Sequence, residues 1–105
     1  CATGWGLSEL FGLGLDRLTL AQVAQQAEND FVGLRCGIMD MFASVHGKKG
    51  HAIRLDCRSL EYAYVPIDLQ NYEPVLFDTG VKHSLASSEY NTRRQECETG
   101  VAMLR

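Results

Sequence analysis

The chain changes its hydrophobic period part-way along, and this change limits the folds that it can form. Apolar residues in the first half recur at the spacing of a helix: Leu20, Val23, Ala24, Ala27 and Phe31. The later run "LEYAYVP" (60–66) instead alternates apolar and polar residues, which is typical of a strand with one face in a core. Helices, then strands, then a helix predict an α+β fold with an antiparallel β region rather than alternating βαβ units.

Residues typical of helix N-caps and C-caps predict two helices in the first half of the chain. Thr19 is followed by Gln22 at the spacing of a capping box, and Gly33 is a suitable C-cap, so a helix is predicted over about 19–33. Gly37 opens a second, shorter element, which ends at Gly47. The amphipathic stripe of this element consists of Ile38, Met41, Phe42 and Val45.

The second half predicts three strands and a final helix. The strand-like runs are "HAIRLDC", "LEYAYVPI" and "EPVLFDTG". The last helix is expected from about Ser88, and one stripe of it carries Tyr90, Arg94, Cys97, Val101 and Leu104. The chain is interpreted as one unit, 1–105, with a helical part over about 1–47 and a part made of strands plus a helix over about 48–105.

Composition excludes several classes of protein. The 105 residues are 46% hydrophobic and 22% charged, with a net charge of −3, as in one ordinary globular domain. No apolar run approaches the ~20 residues that a membrane-spanning helix needs. The acidic balance gives no electrostatic support for nucleic-acid binding. Neither a membrane nor a nucleic acid is therefore expected as a partner.

The cysteines and histidines predict neither a disulfide framework nor a metal site. Four scattered cysteines form no CxxC motif, which favours reduced thiols in a cytoplasmic protein. The cluster around 46–57 lacks the spacing of zinc ligands. The start, "CATGWGLSELFGLGLD", has no Met and enters a helix-like pattern at once, so we expect a piece of a longer polypeptide.

One carboxylate stands out chemically. Asp40 lies between Met39 and Met41 in "CGIMDMFASV", and ionised carboxylates are seldom left among apolar neighbours unless they are paired or used. Asp40 is suited to a general base or to a hydroxyl-rich ligand, with Gly37 allowing close backbone approach. The alternative is that it satisfies free N–H groups in the first turn of the helix.

Two other candidates are weaker. Tyr90 shares a stripe with residues expected to face the core, so its ring is either part of the core or directed at a ligand. His83 and Ser84, with Asp78 nearby, have the three side-chain types of a hydrolase triad, but no GxSxG motif accompanies them. A loop cluster is the preferred interpretation of that group.

Five motifs in fixed order resemble the galactokinase family of the GHMP small-molecule kinase superfamily. They are AEN-x-FVG, CGIMD, LDCRSL, HSLASSEYN-x-RR and CE-x-G, and the resemblance runs from about Leu7 to Val101. The opening "CATGWG" fits the family poorly. The resemblance implies a GHMP-kinase fold, ATP and Mg²⁺ as cofactors, and galactose as the sugar whose C1 hydroxyl is phosphorylated.

The same resemblance assigns roles to three residues. The aspartate of CGIMD, here Asp40, corresponds to the catalytic base and a sugar contact. The glycine of that motif, here Gly37, and the tyrosine of SSEYN, here Tyr90, correspond to galactose-binding positions. Met41 stands where the family commonly has Gln, and no role is carried over to it.

Parts of the family pattern are missing from this chain. The N-terminal sugar-binding motif with its arginine, the phosphate-binding loop and the C-terminal glycine-rich motif are not found, so no ATP-binding residue is assigned. The 105 residues alone are expected to be inactive and to expose apolar surface. Three alternatives stay open: an N-acetylgalactosamine kinase, a non-catalytic regulator that senses galactose and ATP, and a non-catalytic remnant.

Overall fold

The computed structural model describes residues 1–80 and 89–105, and it has the predicted α+β character. The elements in chain order are α1 (Ala2–Phe11), α2 (Arg17–Ala27), a π-helical turn (Glu28–Val32), α3 (Met39–His46), β1 (His51–Leu55), β2 (Tyr62–Pro66) and α4 (Glu89–Met103). The His83–Ser84 pair and the expected helix start at Ser88 lie outside the described residues. None of the helices in the described ranges is long and apolar enough to cross a membrane.

The start of α2 differs from the prediction, whereas its end agrees. Asp16, not Thr19, is the N-cap: its Oδ1 accepts a hydrogen bond from the Thr19 N–H at 2.7 Å and its Oδ2 one from the Thr19 hydroxyl at 3.1 Å. These bonds stabilise the ionised carboxylate and lower the pKa of Asp16. At the other end, α2 widens into the π-helical turn, and Gly33 closes it in the left-handed conformation at φ 79°.

The core lies where α2, α3 and the sheet meet. Phe42 is 1% exposed, and its ring stacks on His46 with centroids 3.9 Å apart and meets the edge of Tyr62 at 5.1 Å. Ala21 and Ile38 complete the buried cluster. Partly buried side chains surround it: Leu18, Met41, Val45, Ile53, Leu55 and Leu60. The amphipathic stripe predicted for α3 is therefore confirmed.

Two of the three predicted strands form. β1 and β2 pair antiparallel, with Ile53 opposite Tyr64. The connecting loop is held by Asp56, whose Oδ1 accepts hydrogen bonds from the N–H groups of Arg58 and Ser59. These two backbone donors lower the pKa of Asp56.

The third predicted strand, "EPVLFDTG" (73–80), is wrong, because these residues form neither helix nor strand. Leu76 is fully exposed and Phe77 is 87% exposed. A strand needs a ladder partner and a surface on which to bury one face. Within the described part of the chain, this segment has neither.

The predicted core-facing stripe on α4 is also wrong. None of the residues described for α4 is buried; Tyr90 is half-exposed and Val101 is 52% exposed. Leu104, just beyond the helix, is 91% exposed. Apolar spacing therefore correctly indicated a helix, but polar side chains attach it to the rest of the molecule, as described below.

We predict that Phe42→Ala strongly destabilises the fold. Removing a fully buried aromatic ring typically costs ~3–5 kcal/mol, and domains of this size are stable by only ~5–15 kcal/mol. Urea unfolding followed by circular dichroism should show this loss as a much lower midpoint or as an unfolded variant. Phe31→Ala is the matched control, since Phe31 is 95% exposed; equal midpoints for the two variants would contradict the prediction.

Candidate active site

Asp40 lies in the first turn of α3, on the face turned away from the core. Phe42 and His46 are the buried residues of this helix, whereas Asp40 is exposed. Met39 is 65% exposed, and Met41 packs against the buried cluster. The apolar neighbours in sequence therefore do not bury the carboxylate, because a helix directs successive side chains about 100° apart. The carboxylate is open to a ligand at a helix N-terminus, where negative charge is favoured.

The first turn of α3 also allows the alternative role of Asp40, in which its carboxylate satisfies free N–H groups at the start of the helix. Ile38 occupies the N-cap and makes no side-chain hydrogen bond to the turn, and Asp40 is the acidic residue there. Its carboxylate can interact with the helix dipole and still face solvent. The two interpretations of Asp40 are thus compatible in space.

Gly37 lines a groove of about 460 Å³ at the junction of α2, the β1–β2 loop and α4. The lining residues are Gln22, Gln25, Gly37, Ile38, Cys57, Arg58, Leu60 and Arg94. A Cβ atom at position 37 would meet nothing within 4 Å, so open space borders this backbone. The Gln25 side chain donates a hydrogen bond to the Cys36 carbonyl at 3.2 Å and so holds the backbone beside Gly37. Asp40 and Tyr90 do not belong to this lining.

Tyr90 lies at the start of α4 and is 50% exposed, which does not fit a core tyrosine. The following residue, Asn91, bonds the backbone on both sides of Leu34. Its Oδ1 accepts from the Arg35 N–H and its Nδ2 donates to the Gly33 carbonyl, both at 2.9 Å. The start of α4 is therefore held against the segment that leads into CGIMD.

A second polar link joins the same two regions further along α4. The Glu98 carboxylate accepts hydrogen bonds from Arg35 at 2.8 and 2.9 Å and from Arg94 at 2.9 Å. The bonds from Arg94 and then from Arg35 favour the ionised carboxylate and lower the pKa of Glu98. All three side chains are partly exposed, so the link is a surface one.

Local sequence patterns do not mark Arg35, Asn91 or Glu98 as functional residues. The only signal was that Asn91 and Glu98 lie inside two of the five motifs, Asn91 directly after Tyr90, and that Arg35 falls between the first two motifs, two residues before Gly37. Their contacts span more than 50 positions, for example from Arg35 to Asn91 and Glu98. Neither periodicity nor local spacing indicates contacts of that range.

The glycine pairs near the start of the chain do not form a phosphate loop. No group of three or more His, Cys, Asp or Glu side chains gathers within residues 1–80 and 89–105. Gly4 and Gly6 lie inside α1, and Gly12 and Gly14 belong to the turn that follows. No step of the chemistry below is therefore assigned to Mg²⁺, and no described residue is assigned to the ATP phosphates.

Residues 1–48 match the sequence model of the GHMP kinases N terminal domain. This match covers a little under half of the 105 residues, so the first part of the chain is similar to that domain. The match includes the opening "CATGWG", which lies before the stretch from about Leu7 where the resemblance begins.

Over nearly its whole length the chain is similar to galactokinases. The galactokinase of Thermotoga maritima is 58% identical over 97 residues, which make up 92% of this chain and 28% of that protein. The galactokinase of Limosilactobacillus reuteri is 50% identical over 98 residues, or 93% of this chain and 25% of that protein. The chain thus spans little more than a quarter of the curated relatives that it matches.

A solved structure shows the same relationship. The crystal structure of Lactococcus lactis galactokinase complexed with galactose matches with a TM-score of 0.89 and 39% sequence identity. The match covers 96% of this chain and 26% of that one. The arrangement of α2, α3, the sheet and α4 is therefore that of the corresponding part of a galactokinase fold.

We predict that the link through Glu98 weakens at acid pH. Because the folded-state pKa of Glu98 lies below its ordinary value of 4.5, its ion pairs contribute fully above that pH and are lost as pH falls through the lowered pKa. A carbon-detected NMR titration of the Glu98 carboxyl should report that lowered pKa, and Arg35→Ala should raise it.

Glu96 provides the matched control for this titration. It pairs with Arg93 within α4 and not with the segment around Arg35. Glu96→Gln should leave the Glu98 titration and the Arg35 resonances unchanged. A Glu98 carboxyl that titrates at its ordinary value, insensitive to Arg35→Ala, would show that the link does not form in solution.

Proposed function

We propose that this chain is the acceptor-side segment of an ATP-dependent galactokinase, a sugar phosphotransferase that converts galactose to galactose 1-phosphate. The observation that carries the proposal is the match of nearly the whole chain to a galactokinase structure complexed with galactose, at a TM-score of 0.89. Identities of 50–58% to galactokinases from two genera support it. Galactose and ATP are the substrates, and the protein is placed in the cytoplasm, in keeping with its free thiols.

Asp40 is assigned as the catalytic base. In phosphoryl transfer the protein mainly positions donor and acceptor and stabilises charge on the transferring group. A carboxylate within hydrogen-bond reach of the C1 hydroxyl orients that hydroxyl and accepts its proton as the oxygen bonds to the γ-phosphorus of ATP and the bond from that phosphorus to the leaving ADP breaks. The exposed position of Asp40 at the start of a rigid, core-packed helix suits both tasks.

Gly37 and Tyr90 are assigned to sugar binding. The open space beside Gly37 lets a sugar ring approach the backbone closely, which a larger residue would impede. The half-exposed Tyr90 presents a hydroxyl that can both donate and accept a hydrogen bond. Asn91 ties the start of α4 to the backbone at Gly33 and Arg35, which brings Tyr90 towards the segment that carries Gly37.

The remaining parts of the catalytic machinery are proposed to lie in the rest of a longer polypeptide. The chain corresponds to 28% of the Thermotoga maritima relative. We assign the ATP phosphates and Mg²⁺ to residues outside these 105. Within the chain, about 1–47 supplies the helices with Asp40 and about 48–105 supplies the sheet and the helix with Tyr90.

We predict that the full-length protein consumes ATP only when galactose is present, whereas the 105 residues alone show no turnover. Coupled detection of ADP with galactose or N-acetylgalactosamine as acceptor measures both. Turnover with N-acetylgalactosamine but not with galactose would show that N-acetylgalactosamine is the substrate instead. Calorimetric binding of galactose without turnover would indicate a sugar sensor. Sustained turnover by the 105 residues would contradict the proposal that the residues for ATP and Mg²⁺ lie outside them.

We also predict that Asp40→Asn in the full-length enzyme lowers kcat by about 10²-fold or more, since general-base assistance typically accelerates a reaction by a factor of ~10²–10⁴. The KM for ATP should stay within about twofold, because Asp40 acts on the acceptor. Asp30→Asn is the matched control: Asp30 is an exposed carboxylate of the π-helical turn. A kcat for Asp40→Asn equal to that of the control would reduce Asp40 to a helix-start residue.

A further inference from the structure

We propose that Asn91 is a positioning residue for the sugar site, acting through the backbone of Gly33–Arg35. This proposal rests on the proposed function, because it concerns the site formed by Gly37, Asp40 and Tyr90. Asn91 itself touches none of the reacting groups in this assignment. It connects the two chain segments that carry them.

The geometry of the contact suits an asparagine. The Asn91 amide donates to the Gly33 carbonyl and accepts from the Arg35 N–H, each at 2.9 Å. These two backbone groups flank Leu34, which is 8% exposed and anchors the segment in the core. A side chain with one donor and one acceptor on the same planar group can bond both, as a neighbouring strand would. Aspartate can accept only, and alanine can do neither.

The backbone that receives Asn91 has a restricted conformation. Gly33 has φ 79°, a region that residues with a Cβ rarely adopt, and it ends the π-helical turn after α2. The Leu34 N–H bonds back to the Glu28 carbonyl at 3.1 Å. The Asn91 amide therefore bonds to the turn at Gly33–Arg35, and this turn sets the direction in which the chain continues to Gly37 and α3.

Attachment of α4 depends on such polar contacts, because no residue described for α4 is buried. The contacts made by Asn91 lie one residue from Tyr90, whereas the Glu98 ion pairs lie two turns further on. Surface ion pairs contribute little on their own. Among the contacts of the described residues, the amide contact is the one nearest to Tyr90, and the proposal assigns to it the positioning of Tyr90 relative to Gly37 and Asp40.

The test uses the full-length protein with Asn91→Ala and Asn91→Asp, and with Thr92→Ala as an exposed neighbour on α4. Amide hydrogen exchange at Arg35 reports the contact itself, since that N–H donates to Asn91. We expect faster exchange at Arg35 in Asn91→Ala, and near-normal exchange in Asn91→Asp, which keeps the acceptor. Thr92→Ala should match the wild type.

Kinetics separate positioning from a merely structural role. Loss of two hydrogen bonds that hold the site should raise the KM and the calorimetric Kd for galactose by about five- to tenfold in Asn91→Ala. Asn91→Asp should lie between this variant and the wild type. The KM for ATP and the melting temperature should change little. Unchanged exchange at Arg35, or faster exchange with an unchanged Kd for galactose, would overturn the proposal.

The calorimetric Kd also distinguishes this proposal from the kinase assignment. A wild-type protein that binds galactose but does not turn it over would refute the kinase activity, while a weaker Kd in Asn91→Ala would still support positioning by Asn91. A wild-type protein that does not bind galactose at all would refute both.

Discussion

The packing of Phe42 against His46 and Tyr62 is the interaction on which the rest of this structure depends. It joins α3 to the sheet, and Ala21 adds α2 to the same cluster. Because the buried stripe fixes the rotation of α3 about its axis, it also decides which residues of that helix face outward. Asp40 lies on the opposite face for this reason. Core packing and exposure of the carboxylate are two consequences of one helical period.

The attachment of α4 follows a different physical rule. Hydrogen bonds from Asn91 and ion pairs of Glu98 connect this helix to Gly33 and Arg35, and its apolar residues stay exposed. Polar contacts between partly exposed groups are directional but contribute little net free energy. Such contacts fix the direction of a helix without burying its apolar side chains. Uncovered apolar side chains on α4 and in 69–77 agree with a polypeptide longer than these 105 residues.

The similarity to galactokinases and the exposure of individual residues both direct attention to Gly37, Asp40 and Tyr90. Similarity to galactokinases covers nearly the whole chain but about a quarter of each relative. The structure independently exposes Asp40 at a helix start, leaves open space at Gly37 and keeps Tyr90 out of the core. The acceptor-side role proposed above is compatible with all three.

The sequence by itself determined the elements whose signals are local. The stripe of α3, the left-handed stop at Gly33 and the alternation at 60–66 each follow from the period or the conformation of a few neighbouring residues. The motif set likewise indicated the similarity to galactokinases, and the role that this resemblance implies for Asp40 stays a prediction. The cap of α2 was assigned to Thr19 although Asp16 provides it, because both residues have suitable side chains and only the hydrogen-bond geometry selects one.

Only the tertiary structure decided the contacts between distant segments. The apolar run at 73–80 has strand propensity but no ladder partner among the described residues, so it forms no strand. The stripe on α4 has helical spacing but no core beneath it. The amide of Asn91 meets the backbone of Gly33 and Arg35 across more than 50 positions. Such contacts depend on which surfaces the folded chain brings together, and no local pattern records that.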